Sequence, residues 1–300
     1  MGALIDAFSG LTGRRLLTTT VLPLVAFLAS LVALVAGGIG WATTVRWWVR
    51  LDSPAKFALA LSGLLAVHLA AQLLAAVQTG LIRLFEGYWH GLPAGNWLAA
   101  RGVRRQRAVQ AALTESDSRW AVYPVGQSQL MPTTIGNILR GAEEHSADRY
   151  GINAITAWPR LYATLPEPFR QAFAVAAADL ELTVNLSTLG ACFAVVGSVL
   201  GAIWSGWVAL LCFSVGALVA WLVGHAAVHA AGAYAQLFRA AFDVHRWCLL
   251  DAAGLTRPES LAAEVRQWRA LDQLWIRGAV DGADAGHLGY PPPPTGRPRP

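Results

Sequence analysis

Lysine is nearly missing from this chain: Lys56 stands alone among 23 basic residues, and the others are arginines. Charge of either sign is scarce, at 14% of residues, where soluble domains carry about 25%. That scarcity argues against an ordinary water-soluble fold. Cysteine is rare too. Cys192, Cys212 and Cys248 are isolated from one another and odd in number, which excludes a disulfide framework and gives no metal spacing. They read as small apolar packing residues. Also missing are a G-x-S-x-G elbow, an H-E-x-x-H helix and a phosphate-cradling glycine loop. The sequence therefore offers no catalytic, cofactor-binding or metal residues, predicts no cofactor and leans away from an enzyme.

What the chain has in abundance is apolar length. Four runs, roughly 21–40, 57–84, 184–204 and 207–228, each supply the ~20 apolar residues that cross ~30 Å of hydrocarbon as a helix. Without water around them, such segments satisfy their backbone only as helix or closed barrel. The runs form two hairpins around a more polar middle. The fold class expected is all-α: a four-span helical membrane protein with long helices extending into a cytoplasmic helical region.

The net charge of +5 is explained by topology rather than by nucleic acid, which is not an expected partner. Arg14 and Arg15 precede the first span, ten arginines lie from Arg83 to Arg170, and eight from Arg239 to Arg299. The loop between the first two spans has only Arg46, Arg50 and Lys56, and Ser205-Gly206 between the last two has none. The positive-inside rule then puts both termini and the middle region in the cytoplasm, with multiple passes through the membrane. Trp41, Trp47, Trp48, Trp204 and Trp207 fall at the outer boundary, as an interfacial aromatic belt does. The apolar run after Arg14-Arg15 is too long for a signal-peptide core, so an uncleaved first span is expected.

These patterns divide the chain into six parts. Residues 1–20 form a cytoplasmic lead-in and 21–90 the first hairpin with its extension. Residues 91–166 form a cytoplasmic middle region, and 167–255 a second hairpin with cytoplasmic extensions. Residues 256–279 make an amphipathic helix, and 280–300 a disordered proline-rich tail. Trp41 to Ala55 is expected as an outer loop lying partly in the interface, and Ser53-Pro54 as the capped start of span two. Within the middle region, 96–115 is expected as an amphipathic helix with Arg101, Arg104, Arg105 and Arg107 on its polar side. Residues 116–134 read as loop and 132–144 as a capped helix, and Pro159, Pro166 and Pro168 read as breaks in the stretch before the third span.

Some residues stand out against this background. His68 lies ~16 Å into span two, near the bilayer midplane, where ionisable groups are costly and often functional. It reads as a proton relay, a pore gate or a neutral histidine bonded to a neighbouring helix. His225 and His229 share a face at i, i+4, but no third ligand accompanies them. Gly197-x-x-x-Gly201 and the series Gly216, Ala220, Gly224 bring helix backbones together, either between spans or between protomers. Glu86, Asp179, Glu181, Asp243 and Asp251 cluster at the inner boundary opposite arginines and read mainly as ion pairs.

Several short stretches resemble a known family. They are Pro132-Thr133-Thr134-Ile135-Gly136-Asn137-Ile138-Leu139-Arg140, Ala142-Glu143, Arg149-Tyr150-Gly151 and Trp158-Pro159-Arg160-Leu161. Glu86-Gly87-Tyr88-Trp89 and Ala241-Phe242-Asp243-Val244-His245-Arg246 belong with them. Together they are similar to uncharacterised multi-pass membrane proteins of bacteria, of the actinobacterial type, over about residues 80–275. The family carries no established activity, so the resemblance implies a bacterial plasma-membrane protein and no more. Read physically, Glu86, Tyr88, Asn137, Arg140, Glu143, Arg149, Tyr150, Trp158, Arg160 and Asp243 form either a cytoplasmic ligand or partner site or a polar network fixing a loop.

The favoured function is a non-enzymatic membrane-anchored interaction or scaffold protein. Its expected partners are the lipid bilayer, further copies of itself and a cytoplasmic protein. The alternative is an oligomeric ion channel or transporter. A pore needs a continuous polar face, and the spans supply little beyond Ser30, Ser62, His68, Gln72, Ser187, Thr188, Ser198 and Ser214.

Overall fold

The computed structural model describes residues 15, 17–113, 123–280 and 282–291. Among these every regular element is helical. A π-helical turn, Leu17–Val21, leads into α1 (Leu22–Ile39), followed by α2 (Trp41–Arg50) and α3 (Ser53–Glu86). Then come α4 (Gly95–Ala111), a 3-10 turn (Gln127–Gln129), α5 (Thr134–Tyr150) and α6 (Ala154–Thr164). Two long helices, α7 (Glu167–Ala202) and α8 (Gly206–Ala252), precede α9 (Leu261–Arg277) and the short α10 (Gly282–Ala285). The stretches Leu17–Ile39, Ser53–Glu86, Glu167–Ala202 and Gly206–Ala252 are each long and apolar enough to cross a membrane.

The chain forms two compact units, Met1–Tyr88 with Ala176–Ala230, and Trp89–Val175 with Ala231–Pro300. Helices α7 and α8 contribute to both.

The first unit has a thin core. Leu24, Ala71 and Leu189 are buried together, with Val21, Phe27, Leu28, Ala70 and Leu74 around them. Most other apolar side chains face outward, including Leu64, Leu65, Leu69 and Leu73 on α3, whose most apolar window is only 6% buried. So much bare apolar helix surface is compatible with a membrane protein and unlike a water-soluble monomer.

Helices α7 and α8 approach closely through small residues. Gly216 lies against the backbone of Ala194 and Gly190, and Gly201 against that of Ala209. Ser187 Oγ donates across the gap to the carbonyl of Ala220 at 2.9 Å. The small-residue series is thus used between two spans of one chain. The N-terminal turn is held to α7 by Asn185, fully buried, whose Nδ2 donates to the Thr19 carbonyl at 2.8 Å. Arg15 reinforces this with a two-pronged pair to Glu181.

The second unit packs as a globular core does. Ala157, Leu161 and Leu250 are fully buried, and Trp268 and Phe242 almost so. Trp158 sits among Phe173, Phe238, Phe242 and Tyr162, with ring centroids 4.5–6.1 Å apart, the spacing of favourable aromatic pairs. Thr133 caps α5 by accepting from Gly136 N at 2.9 Å. Gly151 ends α5 at φ +72°, a left-handed conformation that glycine adopts without a Cβ penalty, and it rests against Val265 of α9.

Three sequence expectations need correction. Residues 41–50 are helix, not loop; Gly40, at φ +100°, makes the sharp link from α1 that lets α2 begin at once. The cap of α3 is Asp52, whose side chain accepts from Ala55 N at 3.1 Å, with Ser53 and Pro54 already inside the helix. Pro159 does not break its helix, since α6 continues through it to Thr164. The burial of Ala157 and Leu161 on either side outweighs the lost backbone bond. The lead-in up to residue 14, the segment 114–122 and the proline tail 292–300 lie outside the described residues.

Candidate functional site

The second unit holds a polar network built by three helices. Asp243 of α8 accepts from His145 Nε2 and from the Tyr150 hydroxyl of α5, both at 2.8 Å. One turn further along α8, Arg246 donates from Nε to Glu264 of α9 at 2.7 Å and lies 4.0 Å over the Tyr150 ring. Glu264 is 4% exposed, and its Oε1 also accepts from the indole N–H groups of Trp247 and Trp268. A buried carboxylate is tolerable only when paired and hydrogen-bonded in this way. Burial opposes ionisation of Asp243. The hydrogen bonds from His145 and Tyr150 and the charges of His145 and Arg149 outweigh it, holding the carboxyl below its ordinary range. Burial, with the hydrogen bond to Asp243, raises the Tyr150 phenol above its usual value.

Beside this network lies a cleft of about 720 Å3. One wall is the face of α4 that carries Arg107, Gln110 and Ala111. A second is the stretch of loop at Tyr123, Pro124, Val125 and Gln127. Helix α5 supplies Gly141, His145, Asp148 and Arg149, residues three and four apart that share a face, and α8 supplies Arg239. The walls are fixed by amides. Gln106 donates to Thr134 Oγ1 at 3.1 Å and accepts from the Tyr123 hydroxyl at 3.0 Å, while Gln110 donates to the Pro124 carbonyl.

The cleft is electrostatically unbalanced. Among the described residues, Arg107, Arg149 and Arg239 line it against the single carboxylate of Asp148, since Asp243 is engaged by His145 and Tyr150. Arg239 is the unusual member. Its Nε and Nη2 are buried without a hydrogen-bond partner. Burial and the adjacent charge of Arg149 both lower its pKa, with Asp243 opposing them. Buried polar groups in folded proteins are nearly always satisfied, so two unpartnered nitrogens on one guanidinium are an exception that asks for a cause.

The sequence-derived residues distribute unevenly over these features. Arg149, Tyr150 and Asp243 meet at the network and the cleft. Asn137 is fully buried and staples its own loop, with hydrogen bonds to Met131 N, Met131 O and Thr133 O. Arg140 pairs with Glu144 at 2.6 Å and lies 3.7 Å from Glu143. Trp158 is in the aromatic core, and Arg160 stacks on Trp275 at 4.6 Å. Glu86 closes α3 and Tyr88 lies just beyond it, both in the first unit. His68 and Gln72 lie exposed on α3.

The ion-pair reading of the carboxylates holds for Glu181 with Arg15 and Asp251 with Arg257, while Asp243 is hydrogen-bonded to His145. His225 packs in a tilted arrangement against Trp221 and donates from Nδ1 to its carbonyl at 2.8 Å. Among the described residues no three His, Cys, Asp or Glu side chains are grouped to hold a metal ion.

Sequence reasoning missed Arg239, Gln110, Tyr123 and His145 as cleft residues. One signal for Arg239 was available: it is a lone charge in the apolar run from Ala230 to Phe242. The chain matches no family model, no curated protein and no solved structure.

Proposed function

We propose that this chain is a multi-pass protein of a bacterial cytoplasmic membrane. Its first unit anchors it, and its second unit serves as a non-enzymatic interaction platform on the cytoplasmic side, with both termini there. One observation carries the reading. A single chain combines a unit of outward-facing apolar helices with a unit that has a buried aromatic core, ion pairs and a cleft, and two long helices belong to both. The arginine distribution supports the orientation.

Self-association is part of the proposal. His68 and Gln72, one turn apart and exposed on α3, form a polar pair that hydrocarbon does not solvate. The matching face of a second copy covers it. The channel alternative is less well supported, because the span hydroxyls of Ser30, Ser62, Thr188 and Ser198 bond to their own helices.

The test is a set of reporter fusions after Pro300 and within 91–166, read with green fluorescent protein and alkaline phosphatase. Fluorescent, phosphatase-inactive fusions at both places in a carbonate-resistant membrane fraction are expected. Phosphatase activity at either place, or release by carbonate, overturns the assignment.

A further inference from the structure

We propose that the basic cleft of the second unit binds a small ligand carrying a phosphate group joined to an apolar body. The inference stands on that unit alone and is independent of the membrane topology.

The chemistry of the walls selects this class. Among the described residues three guanidiniums face one carboxylate, an excess of positive charge that suits a dianion better than a single carboxylate ligand. Guanidinium forks match phosphate oxygens in geometry and remain charged when partly desolvated. Arg239 presents two buried, unpartnered nitrogens, and Arg149 approaches it from another helix although the two charges repel. Folding alone gives no reason to hold like charges together with two donors of Arg239 unmet; an anion there supplies the missing acceptors. Beside the polar side chains of Gln110, Gln127 and His145 the lining has an apolar stretch, Val125, Pro124 and the Tyr123 ring, which suits a base or an acyl segment rather than bare phosphate. The volume of about 720 Å3 lies within the range of small-molecule pockets, about 300–1,000 Å3.

Two sources carry the same chemistry, a soluble phosphomonoester and a lipid phosphate. The experiment uses the full chain in neutral detergent and isothermal titration with AMP and, separately, dioctanoyl phosphatidic acid. Adenosine and dioctanoylglycerol are the phosphate-free controls. Binding of at least one phosphate probe is expected, with its control weaker by at least about tenfold, the loss of one good charged contact. AMP alone identifies a soluble ligand, and phosphatidic acid alone a lipid. Arg239→Gln and Arg149→Gln each weaken binding by a similar factor. Arg104→Gln, on the exposed side of α4, leaves it unchanged.

Arg239→Gln also separates a ligand role from a structural one. Without ligand, its thermal midpoint equals or exceeds that of the wild type, because an unmet buried charge is removed; a lower midpoint assigns Arg239 to structure and overturns the proposal. No binding of either probe, or binding indifferent to Arg239, overturns it as well. So does binding that appears only after Glu115→Gln and Asp117→Asn, which would assign the guanidiniums to the chain's own carboxylates.

Discussion

A methyl group placed on Gly216 would lie 2.7 Å from the Cα of Ala194, so the seam between α7 and α8 has no room for a side chain there. Gly216→Ala is expected to destabilise the protein by about 1–3 kcal/mol, the usual cost of overpacking. Gly63 of α3 has nothing within 4 Å of the same added atom. Gly63→Ala is therefore neutral or stabilising by up to about 1 kcal/mol through helix propensity. Thermal midpoints of the two variants in detergent check the contrast, and equal losses would refute the seam.

Glu264 and Arg246 pair at 2.7 Å with side chains 5% and 15% exposed. Removing Glu264 leaves the Arg246 charge buried and the indoles of Trp247 and Trp268 without their acceptor. Glu264→Ala should cost about 3–5 kcal/mol, and Glu264→Gln, which keeps an acceptor oxygen, less. Replacing both partners by apolar residues, Arg246→Met with Glu264→Leu, should recover much of the loss. Denaturant melts of the three variants distinguish a pair needed for charge balance from one that packing replaces.

The network around Asp243 predicts a stability plateau with two edges. Asp243 has a depressed folded pKa, so its contribution is present above the unfolded value of about 4 and is lost as pH falls through the folded one. Tyr150 has a raised folded pKa, so its contribution is present below the unfolded value of about 10 and is lost as pH rises through the folded one. Midpoints measured from pH 3 to 11 should be shallower on the acid side in Asp243→Asn and on the alkaline side in Tyr150→Phe. Unchanged slopes would remove both groups from the pH response.

The exposed pair His68 and Gln72 predicts a shift in assembly rather than in folding. In the double variant His68→Leu, Gln72→Leu, each interhelical hydrogen bond lost weakens association by about 0.6–2 kcal/mol. Native mass spectrometry should then show more of the 32.0 kDa monomer than in the wild type. An unchanged distribution would place the interface elsewhere.

The long helices were legible because an apolar run of span length admits few other structures, and the capped helix read at 132–144 is α5, with Thr133 as its cap. The helix at Trp41–Arg50 was less legible, because its tryptophans and arginines mix without a clean break and only the unusual φ of Gly40 shows where it starts. Asn137 was noticed from a motif. Its work on the loop at Met131 and Thr133 depends on how that loop folds back, which spacing does not encode. The cleft was the hardest to foresee. Arg107, Arg149 and Arg239 are far apart in sequence and meet only because α4, α5 and α8 pack together. Each alone looks like one more arginine on an inner boundary.

The carboxylate of Glu264 gathers two of the chain's 13 indoles, those of Trp247 and Trp268, onto one oxygen. A negative charge held at the N–H edge of an indole shifts its emission. The second unit therefore carries a built-in optical probe. Changes of packing at the junction of α8 and α9 become visible as a change in tryptophan spectrum, with no label attached.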